Sequence, residues 1–313
     1  MSVELAADMN TPDAKPVRRS LLGLLGIDRD GMLLALVFLP PALMLFTVFV
    51  ALPIVDAGRY SLYNWNGFGD PEKFVGLQNY VQLFGSRVFR IALTNNGLII
   101  LVSFLAQMPL ALLVATMLAD RAPLTGTFRL IFFLPYVLAE VTAGLIWRFI
   151  YDGDYGAAAS VANWLGLDPV YVLADPNFAI YAILLVIVWK YFGLHMILFI
   201  AGLQQIDRSL YEAARIDGAN GWQIFTKVTL PLLAPTIRLS VFFSVVGALQ
   251  LFDVIIPMTG GGPSNSSETL VTYLYNFGIT RTRFGFGSAI GVVLFVICVA
   301  FAFFYKRTAM RHD

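Results

Sequence analysis

Two opposite charges stand where charge is expensive. Glu140 and Lys190 each fall about halfway along a long apolar stretch, His195 shares the stretch of Lys190, and Gln250 and Asp253 fall within or near the end of another. An ionisable group at such depth faces protein or water rather than lipid, so each is a candidate for a solute path. Glu140 and Lys190 lie on successive, antiparallel stretches, which brings them to similar depth. They either pair as a structural element or share a water-filled cavity facing a partner subunit. Beside them, Trp189, Tyr191, Gln250 and Gly247 supply aromatic faces, hydrogen-bonding groups and room for close approach. A hydroxyl-rich solute needs that combination, because every hydroxyl stripped of water requires a partner. Trp189 and His195 read equally as packing residues. Asn95 and Asn96, at the start of the second stretch, either contact solute or cap.

These residue types do not assemble into an enzyme. The chain has two histidines, His195 and His312, and one cysteine, Cys298, so neither a His-based metal site nor an intrachain disulfide is expected. Cys298 reads as a small apolar filler. Neither GxSxG nor HExxH occurs. No lysine follows a glycine as the phosphate loop GxxxxGK[ST] demands, so any ATP is bound by another polypeptide. No cofactor is expected in this chain.

The elements that must position the charges follow from composition. The residues are 58% hydrophobic and 13% charged, with mean hydropathy +0.74, about half the charge of a soluble domain. A bilayer core needs about twenty apolar residues per helix. Stretches at about 32–54, 91–119, 130–149, 178–203, 239–257 and 284–305 qualify or nearly do. The expected fold is therefore an all-α membrane protein with six transmembrane helices. Both termini then share a side, with thirteen lysines and arginines against seven on the other. That excess places the termini and the loop 204–232 in the cytoplasm. The tail 1–31 precedes the permeating domain 32–306, and a short tail 307–313 follows. Residues 17–27 (VRRSLLGLLGI) suit an amphipathic helix on the inner membrane surface rather than a cleaved signal. No basic stripe suits nucleic acid.

The most distinctive segment is polar and lies between two apolar runs: YEAARIDGANGWQIFTKVTLPLLAP, residues 211–235. Ser209 and Glu212 have the spacing of a capping box. Ala213 and Ala214 favour helix and leave a low profile. Gly218 suits the left-handed turn that ends a helix. Asn220 and Gln223 repeat the cap spacing, starting a second short helix expected to end before Pro231. Two short helices around a glycine turn make a compact knob.

The order Glu212-Ala213-Ala214, Asp217-Gly218-Ala219, Leu230-Pro231 resembles the EAA loop of ATP-binding-cassette importer permeases, in the spelling of the carbohydrate-uptake branch (maltose and glycerol-phosphate type). Val75-Gly76-Leu77-Gln78-Asn79-Tyr80, Leu134-Pro135, Trp147 and Thr259-Gly260-Gly261-Gly262-Pro263, a turn expected to be flexible, are similar to further elements of that branch. The resemblance covers roughly residues 33–306. It implies the type I importer permease architecture and a multi-pass protein of the bacterial inner membrane. Ser209, Tyr211, Glu212, Ala213, Ala214, Asp217, Gly218, Ala219, Phe225, Leu230 and Pro231 would couple to an ATPase, which holds ATP and Mg. It also implies two ATPase subunits, a second related permease in a heterodimer or an identical copy, an extracytoplasmic solute-binding protein, and a sugar, oligosaccharide or polyol as cargo. Matching parts of the fourth and fifth spans line the sugar cavity in that family. The alternative is an ATP-independent carrier or channel, which usually shows inverted repeats not visible here.

Overall fold

The computed structural model describes residues 29–119, 125–168 and 171–309. The expected surface helix at 17–27, Arg121 and the last residues of the C-terminal tail, with His312, lie outside them. The chain divides into two compact units at Val55 and Asp56. In the first, α1 (Arg29–Phe46) runs through a π-helical turn, Thr47–Ala51, into α2 (Leu52–Tyr60). Leu36, Phe38, Met44, Phe49 and Val55 are all exposed. A helix apolar on every side suits lipid or protein around it, not water.

In the second unit, α3 (Gln78–Gly85) leads into a long helix. It comprises α4 (Arg87–Val102), a π-turn at Ser103–Gln107 and α5 (Met108–Leu118). Then come α6 (Thr125–Val137), α7 (Glu140–Ile150), α8 (Ala157–Trp164) and the central α9 (Ala179–Leu203). The knob follows as α10 (Arg208–Ile216) and α11 (Gly221–Ile224), then a π-turn at Phe225–Thr229 and α12 (Leu230–Leu249). Short helices α13 (Ile255–Thr259) and α14 (Leu270–Leu274) precede α15 (Phe284–Ala309). Among the described residues, five helices are long and apolar enough to cross a membrane, or six if one bent pair counts as a span.

That bent pair corrects the third expected span. Residues 130–149 are not one helix: α6 and α7 meet at 95°. Pro135 lacks the N–H that would answer an earlier carbonyl, and the helix fails at Leu138–Ala139. The fifth span also differs. Pro231 does not end a helix, because Gly221–Leu249 runs on for 29 residues. In the π-turn just before it, the Leu230 amide reaches back to the Phe225 carbonyl, which accommodates a following residue with no donor. The helix then stops at Leu249, well short of Pro257, and Gln250–Val254 is non-helical.

Small residues set the packing, as expected where lipid removes any hydrophobic drive between helices. A Cβ at Gly193 of α9 would collide with the Phe132 backbone of α6. Gly278 and Gly287 face each other so closely that a Cβ on either would fall within 3 Å of the other's backbone, at 2.5 and 2.9 Å. One apolar cluster joins Ile99, Ile183, Val186, Ile187, Leu251 and Ile255, and a second joins Leu83, Phe89, Leu249, Tyr273 and Phe286. A third packs Ala111, Ala115, Met196, Phe199 and Leu233.

The turn 259–263, expected to be flexible, is hydrogen-bonded in place: Thr259 Oγ1 pairs with Ser267 Oγ at 2.8 Å, and Asn276 Nδ2 donates to the Gly260 carbonyl at 2.8 Å. The segment that follows it is clamped as well. Asn95 Nδ2 donates to the carbonyls of Ser266 and Glu268, both at 2.8 Å. Asn96 donates to the Ala248 carbonyl and accepts from the Leu270 amide at 2.9 Å. Thr269 Oγ1 donates to the Leu251 carbonyl at 2.9 Å. Both asparagines are therefore backbone clamps, which resolves their two expected roles in favour of structure. Asn96→Leu strands a buried amide and a buried carbonyl, at about 1–3 kcal/mol each. Thermal unfolding in detergent should show a clear fall in midpoint, with the same substitution at exposed Asn163 as the neutral control.

Candidate translocation and coupling sites

The break between α6 and α7 decides where the two mid-membrane charges go. A helix that stops leaves its last carbonyls without partners. Lys190, 1% exposed on α9, fills that need: Nζ donates to the Leu138 carbonyl at 2.6 Å and lies 3.4 Å from that of Pro135. A cation is also favoured at that end of the helix macrodipole. Glu140 is the first residue of α7, where the dipole favours an anion. Its Oε1 accepts from the Tyr191 hydroxyl at 2.7 Å. Of the two expected arrangements, a pair or a shared cavity, the structure instead gives the charges separate partners on either side of one break.

Glu140 and Tyr191 open onto a cavity of about 440 Å³, with His195, Gly247, Gln250 and Asp253 also on its wall. Six of the eight candidate path residues are therefore together. The other two are not: Lys190 lies behind the wall, and Trp189 packs edge-on against Trp147 with ring centres 5.4 Å apart. His195 Nδ1 shares a hydrogen bond with Ser240 Oγ, so its ring is a hydrogen-bonded wall group. Sequence reasoning missed Gln107, Tyr136 and Ser244, which also line the cavity. Ser244 is 7% exposed and its hydroxyl has no partner among the described residues. A buried hydroxyl without a partner costs stability unless something fills the gap. Only its spacing on α12 from Gly247 and Gln250 hinted at it.

The second site is the knob. Its first helix is capped by Asp207, whose side chain accepts from the Ser209 amide at 2.9 Å. This corrects the expected Ser209–Glu212 box, since Ser209 already lies inside the helix. The Ser209 amide holds the Asp207 carboxyl below its ordinary range. That contribution is present above the unfolded-state value and fades as pH falls through the folded one. Gly218 takes the left-handed turn, φ +79°. The Asn220–Gln223 box forms in both directions at 2.9 Å. Tyr211, Glu212 and Phe225 line a cleft of about 930 Å³ with Arg208, Arg215 and Gln204. Ser209, Ala213, Ala214, Asp217, Gly218, Ala219, Leu230 and Pro231 do not line it; they build the knob around it. The most exposed large apolar side chains of the knob are Ile216 at 86% and Trp222 at 72%. An unburied tryptophan in a polar segment was the available sequence signal for this surface.

A spanning bundle with a polar, non-catalytic cavity and a knob on one connecting loop defines a membrane transport subunit. Residues 30–311 match the family described as binding-protein-dependent transport system inner membrane component. The chain belongs to that family: it is a multi-pass permease subunit of the bacterial inner membrane, not an enzyme. It is 36% identical to the probable ABC transporter permease protein YurN of Bacillus subtilis (strain 168), over 84% of this chain and 91% of the relative. It is 33% identical to SmoG, the sulfoquinovosyl glycerol transport system permease protein of Agrobacterium fabrum, over 92% and 94%. A crystal structure of a bacterial ABC transporter that imports the acidic polysaccharide alginate superposes with TM-score 0.78 at 25% identity, over 93% of this chain and 99% of that one.

Separate anchoring of the two charges has a testable signature. Lys190→Met leaves buried carbonyls unanswered and should lower the unfolding midpoint, by about 2 kcal/mol or more in stability. Glu140→Gln should be much milder, because the amide oxygen still accepts from Tyr191. The double variant should be no more stable than Lys190→Met alone; a stability restored to the parent's would mean the charges pair after all.

Proposed function

We propose that this chain forms half of the solute path of an ATP-driven sugar importer, with a second, related permease forming the other half. The cargo is a sugar, oligosaccharide or related polyol, delivered by an extracytoplasmic binding protein. The observation that carries this reading is the cavity wall of Gln107, Tyr136, Tyr191, Ser244 and Gln250: many hydrogen-bonding groups, two tyrosine rings and no catalytic constellation. Such a wall suits hydroxyls better than any reactive bond. The lactose permease LacF of Rhizobium radiobacter, 36% identical over 86% of this chain, and the trehalose/maltose permease MalF of Thermococcus litoralis, 32% identical over 87%, support a sugar. A related alginate transporter is known in complex with its periplasmic protein, which supports the binding-protein partner.

Both termini and the knob lie in the cytoplasm in this reading, as the charge asymmetry expects. Two ATPase subunits hold ATP and Mg, and each receives one knob. Trp222, Ile216 and the cleft by Glu212 give the knob an apolar and a polar face for that contact. Closure of the ATPases moves the knobs, and α11–α12 carries the motion to the cavity without interruption.

Gly218→Pro tests the coupling. Proline fixes φ near −65° where the chain needs +79°, and it removes the amide that donates to the Arg215 carbonyl at 3.0 Å. The variant importer, purified with its partners in liposomes, should lose most solute-stimulated ATPase activity and uptake. Uptake persisting without ATP would support an autonomous carrier instead.

A further inference from the structure

The charge lining the cavity is one-sided. Its wall holds two carboxylates, Glu140 and Asp253, and no lysine or arginine. Asp253 is exposed on the wall and has no hydrogen-bond partner among the described residues. Glu140 has one, the Tyr191 hydroxyl, which occupies a single oxygen. Lys190, next in the chain to the wall residue Tyr191, is 1% exposed, absent from the wall, and committed to carbonyls at the α6–α7 break. It offsets part of Glu140's field from behind but presents no ammonium to a solute. His195 is the one imidazole on the wall; it is 2% exposed and held by Ser240. The rest of the wall is uncharged: Gln107, Tyr136, Gln250 and the unpartnered Ser244 hydroxyl, which is more than nine-tenths buried, stand among apolar residues such as Ile99, Leu194 and Val246.

We infer that this permease half-site discriminates by charge: it passes uncharged or amino-bearing glycans and rejects glycans carrying carboxylate, phosphate or sulfonate. This rests on the sugar-path reading above. A neutral solute donates hydrogen bonds from its hydroxyls to Glu140 and Asp253, strong acceptors that need donors. A solute anion instead meets two like charges and finds no lysine or arginine on the wall to offset them. The unpartnered Ser244 hydroxyl accepts or donates as required and adds no charge. The wall therefore departs from what an acidic cargo needs, although a solved structural neighbour imports the acidic polysaccharide alginate and one relative is named for sulfoquinovosyl glycerol.

The test uses the assembled importer, purified with its partner permease and ATPase in nanodiscs without the binding protein, so that delivery does not filter the ligands. Glucose, glucosamine and glucuronate share one pyranose ring, and the latter two each differ from glucose at a single substituent, which sets the charge. Ligand-detected saturation-transfer NMR reads each at equal concentration. Glucose and glucosamine should give signals about tenfold or more above glucuronate. Asp253→Asn alone, and with Glu140→Gln, should raise the glucuronate-to-glucose signal ratio toward one, with glucose itself weakening as a charged acceptor is lost; both complexes are first checked for co-purification of their partners. Glucuronate binding as well as glucose in the unmodified importer overturns the charge rule and leaves the sugar path standing. Binding of none of the three overturns the sugar path itself, and the charge rule with it.

Discussion

Backbone that leaves a helix inside a membrane has no water to answer its polar groups, so protein must answer them. That requirement governs this molecule at two places, and both border the same cavity. At the first, α6 stops before α7 and Lys190 takes the exposed carbonyls. At the second, α12 stops at Leu249, and Asn96 and Thr269 take the carbonyls of Ala248 and Leu251. A straight helix offers a solute only side chains on its face. A broken one turns, and here the turns carry Glu140, Gln250 and Asp253 onto the cavity wall. The path exists because the breaks are affordable, and the buried polar side chains are what make them so.

Seen this way, Lys190 is a structural cation beside the path, not a ligand within it. The same holds for Asn95 and Asn96. Several of the deeply buried polar side chains, Lys190, Asn95, Asn96 and Thr269 among them, bond to backbone. Ser244, on the cavity wall, has no partner among the described residues.

Much of the fold was legible in the sequence. The long apolar runs showed the second, fourth and sixth spans to within a few residues, because the length of a continuous apolar run is a local property of the sequence. The Asn220–Gln223 cap and the left-handed Gly218 were legible for the same reason. The third and fifth spans were not. Pro135 announced a bend but not its 95° angle, which depends on a lysine fifty-five residues away. Pro231 reads locally as a stop, and only the π-turn before it lets the helix continue. Six of the eight residues singled out by type and depth line one cavity. Trp189 and Lys190 lie off it, because depth says nothing about which face of α9 looks inward: that helix is apolar nearly all round.

The two sites are joined by one element. The second half of the knob and the cavity wall at Ser244 and Gly247 lie on the uninterrupted helix Gly221–Leu249, so in the proposed cycle motion enters at one end and reshapes the cavity at the other. The most direct measurement is the distance between spin labels at exposed Trp222 and Phe243 in one copy of the chain, with Cys298 replaced by serine, inside the assembled importer. The separation expected for a helix of that length is about 31 Å. One narrow distance, unchanged between nucleotide-free and ATP-trapped states while solute access switches sides, is the predicted result. A distance that shifts or broadens by several ångströms on trapping would show that the π-turn yields, and that the knob does not drive the cavity as a rigid rod.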